Sequence, residues 1–474
     1  MKTLDEIFAA DRPNSDIIDD LKEYRRNVLI LPQWADLVKE YNPKQHAIIT
    51  DIINYPNKKK YNEEGNEVGE FKRARIGVGL EKLATKRISQ FMFTNPVENI
   101  CEDTIDTSKK DQLNAIKKIL VKNDWDSLNF ERCRIVSSEC EAAVHWYTTE
   151  DKDQNSKYGF KTKFRLNHTI YSPSLGDALY PYFDNNGDMI AFSREYVITE
   201  GTDSKTTYFE CYTAEKIYKW SSTEEWGDPE TTDNTIGKIP IIYTYRSQPI
   251  WEDADHGKRE NIEELISDNG ETIAYNQDPI ILFHGQIDKA PGKGQNKIYS
   301  SQDKEAGAEY VLWDQAPEAI KFQFETLKSL FFMELQLPDI SFENLQGLGS
   351  GQSGESRKWL LAEAHLKVGE ESKIYLSSMR REHSVIKAYM KLMNTSWKDT
   401  IDDLEIEPAI VPFMINDQSD TVKMLVLANA GQAILSQKTA IALSGLVNDV
   451  DAEYEQLKKE TDAANMANLG NPTF

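Results

Sequence analysis

The spacing of apolar residues divides the chain into regions that predict helices and one that predicts strands. Within 76–93, apolar side chains recur every three or four residues, which predicts a helix. Further helices are predicted over 108–122 and 126–140, after a polar helical segment over 15–42. Residues 141–245 alternate apolar and polar positions in short runs, which predicts antiparallel strands. This order indicates an α+β fold, with helices first and a sheet after them.

Two segments among these elements predict turns or loops. Residues 52–74 combine the run Lys58-Lys59-Lys60 with acids and two glycines, which predicts an exposed loop. The sequence DNNGD at 184–188 contains Asn-Gly, the dipeptide of tight hairpins. A calcium loop is the alternative for DNNGD, but its glycine stands one position too early for that loop. A hairpin is the favoured interpretation.

The second half of the chain predicts longer helices. A helix over 256–275 carries only a narrow apolar stripe, so it needs neighbours on several sides. The remaining predicted elements are strand-like runs at 279–287 and 308–313, a helix over 317–335, a very long helix over about 353–394, and helices within 417–463, the second capped by Ser436.

Composition limits the classes of function. The 474 residues carry a formal net charge of −23, with a sequence pI near 4.9. An excess of negative charge of this size argues against tight binding of nucleic acid, but it permits DNA to pass the protein without being bound. The start of the chain has no apolar stretch typical of a secretion signal, and no run approaches the roughly 20 apolar residues that span a bilayer. No membrane contact is therefore expected.

Catalytic and metal-binding patterns are missing from the sequence. The four cysteines show no C-x-x-C spacing, and Cys133 and Cys140 are predicted to be core thiols in a reducing setting. The seven histidines are scattered, and neither H-E-x-x-H nor G-x-S-x-G occurs. We therefore expect no catalytic residues, no metal and no cofactor.

The sequence GLGSGQSGES at 347–356 permits a nucleotide site as an alternative. It approximates a phosphate-binding loop, but Glu355 stands where that loop has lysine, and a carboxylate there repels phosphates. No run of β-branched residues precedes it, as a dinucleotide fingerprint requires. The alternative function left open is a nucleotide-binding DNA-packaging or remodelling NTPase that uses 349–356.

The order of elements in the second half resembles the portal proteins of tailed bacteriophages. The local sequences GKIPII at 237–242, LSQKTAIAL at 435–443 and DVDAEYEQLKKE at 449–460 are similar to that family. The hairpin region at 179–196 adds weaker support. The resemblance covers 237–463 well and 75–236 more loosely.

The resemblance implies an α+β, portal-type subunit: an α/β wing, a two-helix stem, a small α/β clip, a long wing helix and an α-helical crown, assembling into a ring. With the patterns at both ends of the chain, the expected regions are an N-terminal arm or outer helices over 1–50; the wing, helices then antiparallel sheet, over 51–254; the first stem helix over 255–276; the clip over 277–315; the second stem helix over 316–336; the tunnel loop over 337–356; the long wing helix over 357–405; the crown over 406–463; and a flexible tail over 464–474.

The resemblance also implies roles for individual residues. A DNA-facing tunnel loop would contain Phe342, Asn344, Gln346, Gly347, Gly349, Ser350, Gly351, Gln352, Ser353 and Gly354. The stem channel would be lined by Glu260, Glu264, Glu271, Lys321 and Lys328. An equally weighted alternative is that the two lysines pair with neighbouring acids. Lys289, Lys293 and Lys297 of the clip would contact the adaptor or motor.

The implied function is non-enzymatic. Portal proteins form a ring at one capsid vertex, through which genomic DNA is packaged and ejected. The implied partners are other copies of the chain in a homo-oligomeric ring, commonly of twelve; double-stranded DNA in transit, without sequence specificity; the terminase packaging motor; the major capsid protein and scaffold; and the head–tail adaptor. The implied location is the portal vertex of the virion, after assembly in the host cytoplasm.

Overall fold

The fold is taken from a computed structural model, which describes residues 2–62, 64–101, 107–200, 204–276, 280–284, 307–311, 317–337, 361–413, 418–429, 434–447 and 449–469. The chain divides into two compact units. The larger contains 1–339 and 366–412, and the smaller contains 340–365 and 413–474. Mixed helices and sheets make up the described part, as an α+β fold requires.

The α-helices are α1 (Leu4–Ile7), α2 (Asn14–Asn27), α3 (Trp34–Tyr41), α4 (Ala47–Thr50), α5 (Leu80–Phe93), α6 (Thr107–Lys122), α7 (Trp125–Glu139), α8 (His256–Asn276), α9 (Pro317–Glu334), α10 (Ala362–Met393), α11 (Gln418–Asn429), α12 (Gln437–Ser444) and α13 (Val450–Leu469). The strands are β1 (Lys58–Tyr61), β2 (Glu67–Phe71), β3 (Glu98–Ile100), β4 (Glu141–Asn155), β5 (Thr162–Tyr171), β6 (Ala178–Phe183), β7 (Met189–Glu200), β8 (Ser204–Thr213), β9 (Lys216–Ser222), β10 (Glu230–Asp233), β11 (Ile241–Tyr245), β12 (Ile280–His284), β13 (Gly307–Val311) and β14 (Glu407–Ala409).

Two antiparallel sheets form the β-rich part of the larger unit. One has the strand order β10-β9-β8-β7-β6, and the other has the order β11-β4-β5. Buried side chains from both sheets, including Tyr171, Phe192 and Ile241, pack into one core cluster. The alternation over 141–245 therefore predicted the sheet region correctly.

The N-terminal segment packs on the five-stranded sheet. Ile7 of α1 and Leu21 of α2 are fully buried in a cluster with Phe209 and Trp220 of the sheet. Helices α1 to α4 lie within 1–50, where an arm or outer helices were predicted.

Several helix predictions are confirmed, with shifted ends. The helix predicted over 76–93 begins at Leu80, after Gly79, whose backbone at φ −85° and ψ 63° is not helical. The helix predicted over 256–275 is α8, and Ser436 caps α12 by accepting a hydrogen bond from the Thr439 amide at 3.1 Å.

The segment 52–74 was predicted as a loop, and this is wrong. Its central part is the antiparallel hairpin β1–β2. The Asn62 side chain accepts hydrogen bonds from the backbone amides of Glu64 and Asn66, at 3.1 and 2.8 Å, and Gly65 has φ +80°. These contacts build a turn without the two-residue Asn-Gly signal of tight hairpins.

The hairpin predicted at 184–188 is confirmed between β6 and β7. Asp184 Oδ1 accepts from the amides of Asn186 and Asp188, each at 2.9 Å, and Gly187 has φ +88°. The carboxylate therefore holds the turn through the backbone.

Both cysteines predicted as core thiols are buried. Cys133 lies within α7, and Cys140 follows the helix with φ +68°. Burial raises the pKa of the Cys140 thiol to about 12.

The C-terminal region contains one strand and three helices among the described residues. Within 406–463, β14 pairs with β3 in the larger unit, so the smaller unit resumes only at 413. Helices α11, α12 and α13 follow, and α13 continues to Leu469, into the segment predicted as a flexible tail over 464–474. In the part of the chain that the structure describes, no helix is long and apolar enough to cross a membrane.

Candidate functional site

Helices α8 and α9 pack against each other and form the candidate functional site. Helix α9 begins at Pro317 with Glu318 in its first turn, as helix starts prefer. A cavity of about 380 Å³ lies between the two helices. It is lined by Leu265, Ile266, Asn269, Ile273, Pro317, Ile320, Lys321 and Phe324. Between the helices in sequence, β12 and β13 pair as antiparallel strands, as the runs at 279–287 and 308–313 predicted.

An extended segment, residues 73–78, lies along the polar face of α8. The amides of Ala74, Ile76 and Val78 donate to Glu271 Oε1, Ser267 Oγ and Glu263 Oε1 at 3.0, 3.1 and 2.7 Å, respectively. Two residues of extended chain advance by roughly 6.6 Å, and four residues of helix advance by about 6 Å. Alternate amides of the segment therefore match every fourth residue of the helix.

Two buried polar contacts fix the first half of α8. Glu263 Oε1 lies 2.5 Å from His46 Nδ1, and both side chains are almost fully buried. Arg259 donates to Glu81 Oε1 at 3.0 Å. Burial raises the pKa of Glu81, and the Arg259 guanidinium opposes that increase.

The acidic residues predicted to line the stem channel have different surroundings. Glu260 is exposed and lies 3.4 Å from Arg259 Nη2. Glu264 is half-buried beside Tyr55, and it contributes to a raised pKa of that tyrosine, whose largest cause is burial. Glu271 is only 14% exposed, and it binds the Ala74 amide and Lys58 Nζ. Glu271 thus contacts two groups of its own subunit, and its place in the channel lining stays a prediction.

The two lysines of α9 also differ from each other. Lys321 is exposed at the edge of the cavity between the helices. Lys328 Nζ lies 3.2 Å from Glu325 Oε2. The alternative interpretation, pairing with a neighbouring acid, therefore applies to Lys328.

The other predicted site residues lie outside the described residues. They are Phe342, Asn344, Gln346, Gly347, Gly349, Ser350, Gly351, Gln352, Ser353 and Gly354 of the tunnel loop, and Lys289, Lys293 and Lys297 of the clip. The Gly-rich stretch 349–356, on which the nucleotide alternative depends, lies outside them too.

The long helix α10 crosses the larger unit and carries a buried carboxylate. Glu382 Oε2 accepts from Trp125 Nε1 at 2.9 Å, and Oε1 accepts from Trp146 Nε1 at 2.8 Å. Arg132 Nη2 lies 3.3 Å from Glu382 Oε2. One side chain thus connects α10 with α7 and β4. One face of this helix is buried along its length; its members are Val368, Tyr375, Met379, Glu382, Ile386, Tyr389 and Met393.

Sequence reasoning missed the segment 73–78 because its contacts with α8 use backbone amides, which every residue type except proline carries. A partial signal was present. Glu263, Ser267 and Glu271 stand four residues apart on one face of a helix whose polarity was noted.

Comparison with protein families gives one decisive match. A family model described as "Phage portal protein, SPP1 Gp6-like" matches residues 9–467. The chain belongs to this family of phage portal proteins. Its function is accordingly a phage portal function, and the family is structural rather than enzymatic. This portal protein is a component of the virion.

Two other comparisons accompany the family match. Among solved structures, this portal protein is similar to a chain from "Neck of empty GTA particle computed with C6 symmetry". The two chains share 8% sequence identity with a TM-score of 0.38, over 78% of this chain and 89% of the other. No curated protein matches.

Proposed function

We propose that copies of this chain form a closed ring, commonly of twelve, whose central channel carries double-stranded DNA during packaging and ejection. The observation that carries the proposal is the portal family match over residues 9–467. The helix pair α8–α9 supplies the channel wall, because a closed ring provides neighbours for helix faces that remain polar or half-exposed within one subunit.

The electrostatics of one subunit suit passage of DNA rather than capture. Each chain carries a formal charge of −23, so the wall of a ring repels the phosphate backbone. Glu260 and Glu264 of α8 remain as acidic candidates for the wall, and Lys321 remains as a candidate that offsets the repulsion locally. Glu271 and Lys328, like Glu260, lie beside a charged group of their own subunit, and both stay in the proposal as further candidates for the wall.

The regions take their roles from the family. In this proposal α8 and α9 are the stem, 277–315 is the clip, α10 is the long wing helix, and 406–463 is the crown. The loop at 337–356 touches DNA through its polar residues, without reading bases. The clip, with Lys289, Lys293 and Lys297, contacts the packaging motor and later the head–tail adaptor.

The remaining parts of the proposal concern assembly. The ring forms in the host cytoplasm, joins the scaffold and the major capsid protein, and occupies one vertex of the virion. It performs no chemistry of its own and needs neither metal nor cofactor. The alternative NTPase is not proposed, since no described residue favours nucleotide binding.

Negative-stain imaging and native mass spectrometry of the purified full chain test the ring. We expect closed rings with a central hole and one dominant mass near twelve chains. A monomer or a compact dimer at every protein concentration would refute the proposal.

A further inference from the structure

Most of the hairpin β1–β2 is exposed. Among the described residues, its sheet contains these two strands only, so the outer edge of each presents backbone groups that no described strand pairs. Lys58, Lys59, Tyr61 and residues 64–70 are all exposed. A two-stranded hairpin is at best marginally stable by itself in water, so this one needs support from outside its own two strands.

The base of the hairpin is fixed to α8. Lys58 Nζ lies 2.5 Å from Glu271 Oε2, and Arg73 Nη2 lies 3.1 Å from Asp268 Oδ1. Beyond β2, the extended segment 73–78 continues along α8. The hairpin therefore has a defined position on the proposed stem helix, and only its strands and turn remain uncovered.

The two strands carry opposite charges. Strand β1 reads KKKY, and β2 reads EVGEF. Within the hairpin the opposite charges already pair across the strands, since Lys59 Nζ lies 2.7 Å from Glu67 Oε2 and Lys59 stands opposite Glu70 in the register. A lysine-rich strand beside a glutamate-containing strand is thus a favourable combination in this sequence.

We infer that the hairpin is a contact between copies of this chain, in which the outer edge of β1 in one subunit pairs with the outer edge of β2 in the next. The inference rests on the ring proposed above. Rotation about a ring axis keeps neighbouring hairpins in the same direction, so β1 of one copy runs antiparallel to β2 of the next. The junction between copies then repeats the pairing found within each hairpin.

Charge complementarity selects another copy as the partner of this surface. Pairing β1 with β1 would oppose lysines to lysines, and pairing β2 with β2 would oppose glutamates to glutamates. Only the β1–β2 combination between copies is favourable, and such a head-to-tail contact uses both edges of every hairpin only when the ring closes. The contact also covers part of Tyr61 and Val68, which are 59% and 54% exposed.

Two charge-reversal variants of the full chain test the inference. The first, Lys59→Glu/Lys60→Glu, makes both strands acidic, and the second, Glu67→Lys/Glu70→Lys, makes both basic. Lys58 stays unchanged because it holds the base of the hairpin. Each variant alone should need a roughly tenfold higher protein concentration for half of the chains to form rings.

An equimolar mixture of the two variants should recover rings at the wild-type concentration. Acidic and basic hairpins would then alternate, and native mass spectrometry should show equal numbers of each variant, distinguished by mass. Both variants lose the internal pair between Lys59 and Glu67, and mixing cannot restore that pair. Recovery on mixing therefore reports a contact between copies. Lys122→Glu/Lys205→Glu, at two exposed lysines, is the control with the same change in net charge as the acidic variant, and it should assemble like wild type.

Three results would overturn the inference. The variants could form rings at the wild-type concentration, the mixture could fail to recover, or the control could be impaired as strongly as the acidic variant. If the wild-type chain itself forms no ring, the proposed function fails as well. If wild-type rings form while the variants behave in any of those three ways, the hairpin contact alone fails.

Discussion

At the scale of single residues, Glu382 shows how one buried charge is made tolerable. Its two carboxylate oxygens accept from two tryptophan indoles and from Arg132, and the side chain is fully buried. A buried ion pair adds little net stability compared with apolar residues, but the loss of one partner leaves the other charge uncompensated. The arrangement therefore makes α10 intolerant of change at this position.

Glu382→Ala should lower the free energy of unfolding by on the order of 3–5 kcal/mol, because Arg132 and both indoles lose their acceptor. Chemical denaturation followed by tryptophan fluorescence measures the change. Glu370→Ala, at an exposed site on the same helix, is the matched control and should change stability by less than about 0.5 kcal/mol. Equal effects of the two substitutions would contradict this account of Glu382.

His383, the residue after Glu382, makes the stability of the fold depend on pH. Burial lowers the pKa of His383 to about 4, from an ordinary value of 6.5. Below pH 6.5 the unfolded chain binds a proton that the folded chain does not bind until about pH 4. The folded state is therefore destabilised as the pH falls through this interval, by up to about 3 kcal/mol.

His383→Gln should reduce the slope of this pH dependence between 6.5 and 4, measured as the unfolding midpoint in denaturant at a series of pH values; His145 and His168, whose pKa values burial also lowers, keep the remainder. Ser377→Ala, at an exposed serine of α10, should keep the wild-type slope. An unchanged slope in His383→Gln would show that this histidine is not the group responsible.

At the scale of elements, the polar helix α8 obtains a neighbour from its own subunit. The segment 73–78 provides one backbone amide for each of Glu263, Ser267 and Glu271. Such a contact requires the segment to lie close to α8 on one side and close to Pro43 on the other. Gly77 makes that approach possible, since a Cβ there would stand 2.4 Å from the Pro43 carbonyl oxygen.

The same substitution should therefore have opposite effects at two glycines. Gly77→Ala should destabilise the protein by roughly 1–3 kcal/mol, because the Pro43 backbone must move. Gly369→Ala, within α10 where a Cβ would meet nothing within 4 Å, should stabilise it by about 0.5–1 kcal/mol. Thermal unfolding of both variants measures the signs, and destabilisation by Gly369→Ala or neutrality of Gly77→Ala would count against the close approach.

The sequence predicted helix α8, but neither the packing of the segment 73–78 nor the hairpin β1–β2. The helical period identified α8, and its polarity indicated that it needs neighbours. The neighbours expected were other copies of the chain in a ring, whereas one of them is the segment 73–78 of the same subunit. The packing of the segment 73–78 on α8 could not be predicted, because backbone amide donors leave no pattern in the residue types. The hairpin β1–β2 was missed for another reason: the run Lys58-Lys59-Lys60 has no alternation, and its turn depends on the Asn62 side chain. Tertiary contacts, rather than local preference, decide both cases.

At the scale of the whole molecule, the charge of −23 dominates the expected behaviour toward DNA. Proteins that hold duplex DNA do so by neutralising phosphates with basic side chains. This chain has an excess of acids, so DNA inside a ring would meet repulsion on average and only local attraction.

Assembled rings should retain no linear duplex DNA at physiological salt, as fluorescence anisotropy of a labelled duplex would measure. Dissociation constants in the micromolar range would contradict the repelling channel.

Deletion of 345–353, within the proposed tunnel loop, should leave ring formation intact and impair DNA packaging in a complementation assay. Normal packaging by the deletion variant would contradict the role of the loop.

The distance along the chain between Glu382 and its partners has a consequence for synthesis. Trp146 precedes Glu382 by 236 residues, and β14 closes on β3 across a still longer stretch of chain. At roughly 5–20 residues per second, a ribosome needs about 10–50 s to travel from Trp146 to Glu382. During that interval the nascent chain holds α7 and β4 without the helix that covers them. The newborn polypeptide must therefore be shielded from its neighbours on the polysome until α10 emerges, and an mRNA truncated before codon 382 would yield a product prone to aggregation.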